Sequence, residues 1–243
     1  MGESVSICKK DRAPLALALL SLAAALVLAS GAGELALGIC SAGLDMFALA
    51  ALGVAGAERQ LALHWLLMLA TMTPLLLVAP VRHLWLRSLA DRRALLLGLF
   101  VASYLTVWMV AGLPLMLAAQ AIKAASANAL PWTLALALLW QMSPAKQACL
   151  NRCHRRPSLP AFGPAAARAV LAYGIGQGLW CLGACWPLML APLVLERGMI
   201  VVMAACTLFV MTERMEPPAP LAWRWRGTRT AARWVAARWG RGA

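Results

Sequence analysis

The chain has 243 residues, of which 63% are hydrophobic and only 13% charged, with a formal charge of +13. Ordinary globular chains are about half apolar and a quarter charged, so this composition excludes a water-soluble domain, a disordered chain, collagen and a disulfide-stapled secreted scaffold. The solvent that tolerates such a surface is a bilayer, and the basic excess then marks a cytoplasmic face rather than a ligand.

The first apolar run, Pro14 to Ser30, follows Lys9, Lys10 and Arg12, and its 17 residues sit at the lower limit for a spanning helix. A signal peptide is the other reading of this run, since a basic leader, an apolar stretch and the small residues Ala29-Ser30-Gly31 fit one. Leu35 to Ala55 reads as an external, interfacial or re-entrant segment, in keeping with its glycines and lone Asp45. Further spans are expected over 61–81, 94–122, 124–142, 169–195 and 198–212. The fourth carries Pro131 near its first turn, where proline is tolerated, and the last is short enough to draw Glu213 toward the bilayer edge.

Six spans from residue 14 to 212 therefore predict an all-α, polytopic transmembrane bundle over 1–215 and a basic tail over 216–243. The charges test this. Of the 22 Lys and Arg residues, 19 lie before the first span, in 82–93, in 146–168 or from 214 onward, and only Arg59, Lys123 and Arg197 fall in the other connections. That alternation puts both termini on the cytoplasmic side of an inner membrane, unless the first helix is cleaved. Counting 35–55 as a seventh span would destroy it. In the tail, Leu221, Trp225, Thr228, Ala232, Val235 and Trp239 recur in steps of four and three, with Arg226, Arg229 and Arg233 on another face. This pattern predicts a basic amphipathic helix lying on anionic lipid, and so many Trp residues disfavour nucleic acid as its partner.

Seven Cys and 12 Met are many for so uncharged a chain. Cys181, Cys185 and Met189 stand at i, i+4 and i+8, so three sulfurs share one helix face. Helical i,i+4 Cβ atoms are about 5–6 Å apart, too far for a disulfide, which needs about 3.8 Å. Met68 and Met72 repeat the step in the second span, as do Met199 and Met203 in the sixth. With the orientation above, all seven sulfurs fall in the middle or outer half of the bilayer. Thiolate and thioether donors select Cu(I) over hard cations, whereas Met pairs taken alone also serve as fillers of irregular cores. A second pair, Cys149 and Cys153 with His154, follows Ser143-Pro144, an N-cap and first-turn signature of a short helix on the cytoplasmic side. Lys146, Arg152, Arg155 and Arg156 beside it are expected to favour thiolate. Gln177 and Glu213 are polar residues at or near spans and so attract functional suspicion. Gly174 and Gly178 form a small-xxx-small step that invites close helix approach. No Ser/His/Asp set, phosphate loop or carboxylate pair occurs, so hydrolase and nucleotide-driven chemistry have no support.

These residues resemble the predicted metal-binding integral membrane proteins of domain-of-unknown-function family 2182, many of which are labelled copper chaperones. The resemblance is carried by Trp65-x2-Met68-x3-Met72 before Pro74, by Gln141-x2-Pro144-x-Lys146-x2-Cys149-x3-Cys153, by Gly178-x2-Cys181-x3-Cys185-Trp186-x2-Met189, by Gly198-Met199 and by Glu213. It implies sulfur ligation of copper by Cys181, Cys185, Met189, Met68, Met72, Met199, Cys149 and Cys153. The chain departs from the family at Thr73, Ala184 and Arg152, where relatives carry further Met, Cys and His donors. The expected function is Cu(I) binding in the membrane and delivery to a partner, with capture by Cys149 and Cys153. The competing expectation is a non-catalytic accessory subunit of a membrane complex, and thiol–disulfide exchange is disfavoured by the i,i+4 spacing.

Overall fold

The computed structural model describes residues 17, 19–24, 26, 57–126, 128–160, 162–195 and 199–225. These are 86% helical, with no strand among them. The long helices are α1 (Ala57–Arg87), α2 (Arg93–Ala125), α3 (Ala129–Met142), α4 (Pro144–Cys153), α5 (Gly163–Val194) and α6 (Met199–Met215), with a 3-10 turn at Ala90–Arg92 between α1 and α2. Among the described residues, three stretches are long and apolar enough to cross a membrane: Trp65–Arg87, Ala90–Ala125 and Gly163–Val194. Of the first expected span, 19–24 are helical, and Ser21 donates its hydroxyl to the Thr71 carbonyl of α1. The segment 35–55 lies outside the described residues, as do Cys8 and Cys40.

The run expected to span over 124–142 is divided. Ala124 and Ala125 close α2, and Ser126 turns extended at φ −150°, ψ 129°. That leaves 14 residues for α3, about 21 Å at 1.5 Å per residue and short of a 30 Å hydrocarbon core. The short helix signalled by Ser143-Pro144 forms: the Ser143 hydroxyl accepts the Lys146 N–H at 3.1 Å, and Pro144 takes the first helical position, where its missing N–H costs nothing. After α6 the prolines at 217, 218 and 220 withhold backbone donors, and residues 217–225 are not helical. Asn151 clasps this segment instead, donating to the Ala219 carbonyl at 2.8 Å and accepting its N–H at 3.1 Å. The amphipathic helix expected from Leu221 thus does not include 221–225, and its remainder, 226–243, lies outside the described residues.

Helix α5 is central, touching α2, α3, α4 and α6, while α1 closes the bundle against α2 and α6. Its most extensive partner is α2, and the reason is in the glycines. A Cβ at Gly178 would stand 2.9 Å from the Val107 Cβ, and one at Gly174 would strike the Ser103 hydroxyl and the Phe100 carbonyl. The small-xxx-small step therefore does what the sequence implied, letting two backbones approach at a distance any side chain would forbid.

Candidate metal centre

The close approach of α2 fixes the surroundings of the α5 thiols. Tyr104 and Cys181 are wholly buried, and the Tyr104 hydroxyl donates to the Cys181 Sγ at 3.1 Å. Cys185, one turn on, is buried too, and its thiol donates to the Cys181 carbonyl at 3.0 Å, the bond expected of an i,i+4 thiol with no closer acceptor. Neither sulfur is oxidised to a disulfide. Met68, Met72, Met189, Met199 and Met203 are all buried in the same continuous core as these two cysteines. Cys206 is also buried, against the Leu188 carbonyl.

Helix α4 does not stand apart from this cluster. It packs along α5 so closely that a Cβ at Gly183 would lie 2.7 Å from the Cys149 Sγ. The Gln177 amide donates to the Cys153 carbonyl at 3.2 Å, so this buried glutamine bridges helices. The two cysteine pairs, separated in the sequence reading by membrane depth, are thus neighbours along one helix.

What anchors α4 is a buried ionic knot. Lys146 Nζ lies 2.8 Å from the Glu213 carboxylate, with side-chain exposures of only 2% and 1%. Gln141 joins both, accepting from Lys146 and donating to Glu213. Burial lowers the Lys146 pKa, and the Glu213 charge opposes that fall. Three motif residues on three helices therefore serve one another, and Glu213 is a partner of Lys146.

The basic surroundings of the α4 thiols act differently from the expectation. Burial raises the Cys149 thiol, against the pull of Arg152, and pushes Cys153 up to about 12, against the pull of Arg214. Three of the four cations that were to stabilise thiolate are otherwise engaged. Lys146 is spent on Glu213, the Arg152 guanidinium stacks 4.2 Å from the Trp180 ring centroid, and Arg156 donates to the Ala79 carbonyl at 3.0 Å. Desolvation therefore wins. His154 is likewise occupied, its ring nitrogens facing the Leu150 and Arg214 carbonyls at 2.8 and 3.0 Å, so neither is turned toward a metal.

Two residues went unassigned as site components in the sequence. Tyr104, within the third expected span, hydrogen-bonds a thiol. Arg214, counted only among the basic residues of the tail, reaches back to α1, where its Nη1 donates to the Leu76 carbonyl at 2.9 Å. Only the position of Arg214 directly after the last apolar run hinted at this. Among the described residues, no three His, Cys, Asp or Glu side chains come together as a metal-holding group. A soft ion here would take no more than two thiolates, with thioethers as supplementary donors.

No curated protein and no solved structure matches the chain. A family model described as "Copper chaperone", PpoB2, matches residues 61–236, a stretch that begins in the second turn of α1 and contains α2 to α6 with all the sulfurs of the candidate site. The chain belongs to this copper chaperone family.

Proposed function

We propose that the protein is a multi-pass inner-membrane protein with cytoplasmic termini, which binds Cu(I) through Cys181 and Cys185 and delivers it to a partner protein. Met189, Met72, Met68 and Met199 are the thioether donors of this reading. Cys149 and Cys153 are the residues of capture, handing the ion inward along α5. The observation that carries it is the complete burial of two adjacent free thiols in a Met-lined core, in a chain of a copper chaperone family. Soft donors of this kind suit Cu(I), and low-coordinate thiolate sites exchange it readily as one sulfur bonds while another leaves. Because burial holds Cys149 and Cys153 as thiols, capture there releases their protons as the Cu–S bonds form.

The test is copper content after purification in detergent under reducing conditions. Wild type should carry about one copper per chain, and a C181S/C185S variant that remains folded should lose it. Equal copper in the two proteins rejects the site. A copper-free wild type that co-purifies with a fixed set of membrane proteins supports instead an accessory-subunit role.

A further inference from the structure

A partly open cavity of about 310 Å³ lies where the end of α4 meets α1, α5 and α6, and its polar lining is Cys153, His154, Arg156, Gln177 and Arg214. Here α1 is interrupted. Pro80 has no N–H for the Leu76 carbonyl one turn back, and Arg214 Nη1 takes that place at 2.9 Å. Its Nε and Nη2, the paired donors on one edge of the guanidinium, have no hydrogen-bond partner. Arg156 commits Nη1 to the Ala79 carbonyl at 3.0 Å and is otherwise exposed. That bond, with His83 Nε2 lying 3.1 Å from the Pro157 carbonyl, fastens the chain after α4 to α1, so the cavity is built by the fold. Two arginines line it, and among the described residues no Asp or Glu does. His154 and the Gln177 amide are already engaged with backbone carbonyls, which leaves two guanidiniums and one thiol as the charged and nucleophilic groups. The cations do not serve the thiol, because burial keeps Cys153 protonated against the pull of Arg214.

We propose that this cavity binds a small thiol that also carries a carboxylate, and that the bound thiol hands Cu(I) to Cys153. The inference rests on the reading that Cys153 is a residue of capture. A guanidinium edge with both donors free matches the two oxygens of a carboxylate, and charge-assisted bonds of this kind are the strong ones. The volume suits a small molecule rather than a protein segment. A phosphate fits the arginines as well, but it has no soft donor with which to bring copper to a thiol. The transfer is a ligand exchange. One bond from copper to the carrier sulfur breaks, one to the Cys153 sulfur forms, the Cys153 proton passes to the departing sulfur, and copper stays Cu(I). The carboxylate fixes the carrier while the sulfurs change places, and Gln177, bonded to the Cys153 carbonyl, keeps the receiving residue in position against α5.

The experiment uses the full-length protein in detergent and has two readouts. The first compares alkylation of Cys153 by iodoacetate and by the neutral iodoacetamide, located by peptide mass mapping, and their ratio cancels any change in the thiolate fraction. Wild type should favour iodoacetate about tenfold more than R156Q/R214K does, since R214K keeps the charge and a donor for the Leu76 carbonyl but lacks the paired edge. The second follows Cu(I) transfer from mercaptopropionate and from mercaptoethanol. Wild type should load faster from the first, by a similar factor, and the double variant should lose the difference. An alkylation ratio unchanged by the substitutions overturns the proposal, as does a wild type that takes copper equally fast from both carriers, a result that needs no variant to fold. If phosphatidylglycerol suppresses the iodoacetate preference and methylthiopropionate does not, the cavity holds a lipid headgroup and the proposal fails. If C153S loads as fast as wild type, the transfer step falls together with the capture reading, while the alkylation ratio decides the anion site separately.

Discussion

Lys146 and Glu213 show why a single side chain in this core cannot be judged alone. Each would be prohibitively desolvated by itself, and together with Gln141 they form a closed set in which every charge has its partner. K146M and E213Q should each destabilise the protein by about 3–5 kcal/mol, because each strands the opposite charge, whereas K146M/E213M should cost clearly less than the sum. Thermal unfolding in detergent measures this, and strictly additive losses would contradict the pairing. The α4 thiols give a pH prediction. The Cys153 thiol is raised from 9.0 to about 12 in the fold, so the native state holds this proton more tightly than the unfolded chain does. Its contribution to stability is complete below about pH 9 and is lost as pH climbs toward about 12. Alkylation of Cys153 in the native protein should accordingly remain slow at pH 8 and accelerate only at much higher pH, as peptide mass mapping would record. Rapid labelling at pH 8 would mean that the neighbouring arginines, and not burial, set its chemistry.

At the scale of helices, the glycines of α5 separate close approach from mere tolerance. G174A places a methyl against the Ser103 hydroxyl and the Phe100 carbonyl, and G178A places one 2.9 Å from the Val107 Cβ. Each should cost about 1–3 kcal/mol of unfolding free energy. G98A and G176A meet nothing within 4 Å and should be neutral or stabilising by up to about 1 kcal/mol, since alanine replaces glycine inside a helix. Loss of stability in all four alike would remove the α2–α5 contact as its cause. The existence of these helices was readable because uninterrupted apolar runs have few other solutions, and Gly174 with Gly178 announced the contact face. The break between α2 and α3 was read at Lys123 and falls at Ser126, and this shift of a few residues, which shortens α3, was not readable. Nor was the position of α4. Its residues are polar by composition, and only the partnering of Lys146 with Glu213, about seventy residues away, explains why it folds back against α5. The same limit hid Arg214 and Tyr104, whose roles depend on which way a long side chain turns.

The molecule as a whole wears its apolar residues on both sides. Beneath them is the sulfur- and aromatic-rich core, and outside it Leu95, Val110, Leu113 and Leu117 of α2, Leu138 and Leu139 of α3 and Val201 and Leu208 of α6 stand exposed. Exposed apolar surface on this scale calls for lipid or a protein partner. Val110, 71% exposed midway along α2, is a direct probe. V110R should raise the cost of insertion by about 2.5–3.5 kcal/mol and reduce the membrane-integrated yield, whereas an unaffected yield would place that face against water.

The central claim is that buried sulfur alone holds the ion, and X-ray absorption at the copper edge of the loaded protein tests it most directly. The account predicts a Cu(I) edge with a first shell of two or three sulfur atoms, reduced or absent in C181S/C185S. A first shell dominated by nitrogen or oxygen, or a sulfur shell untouched by that double substitution, would contradict it.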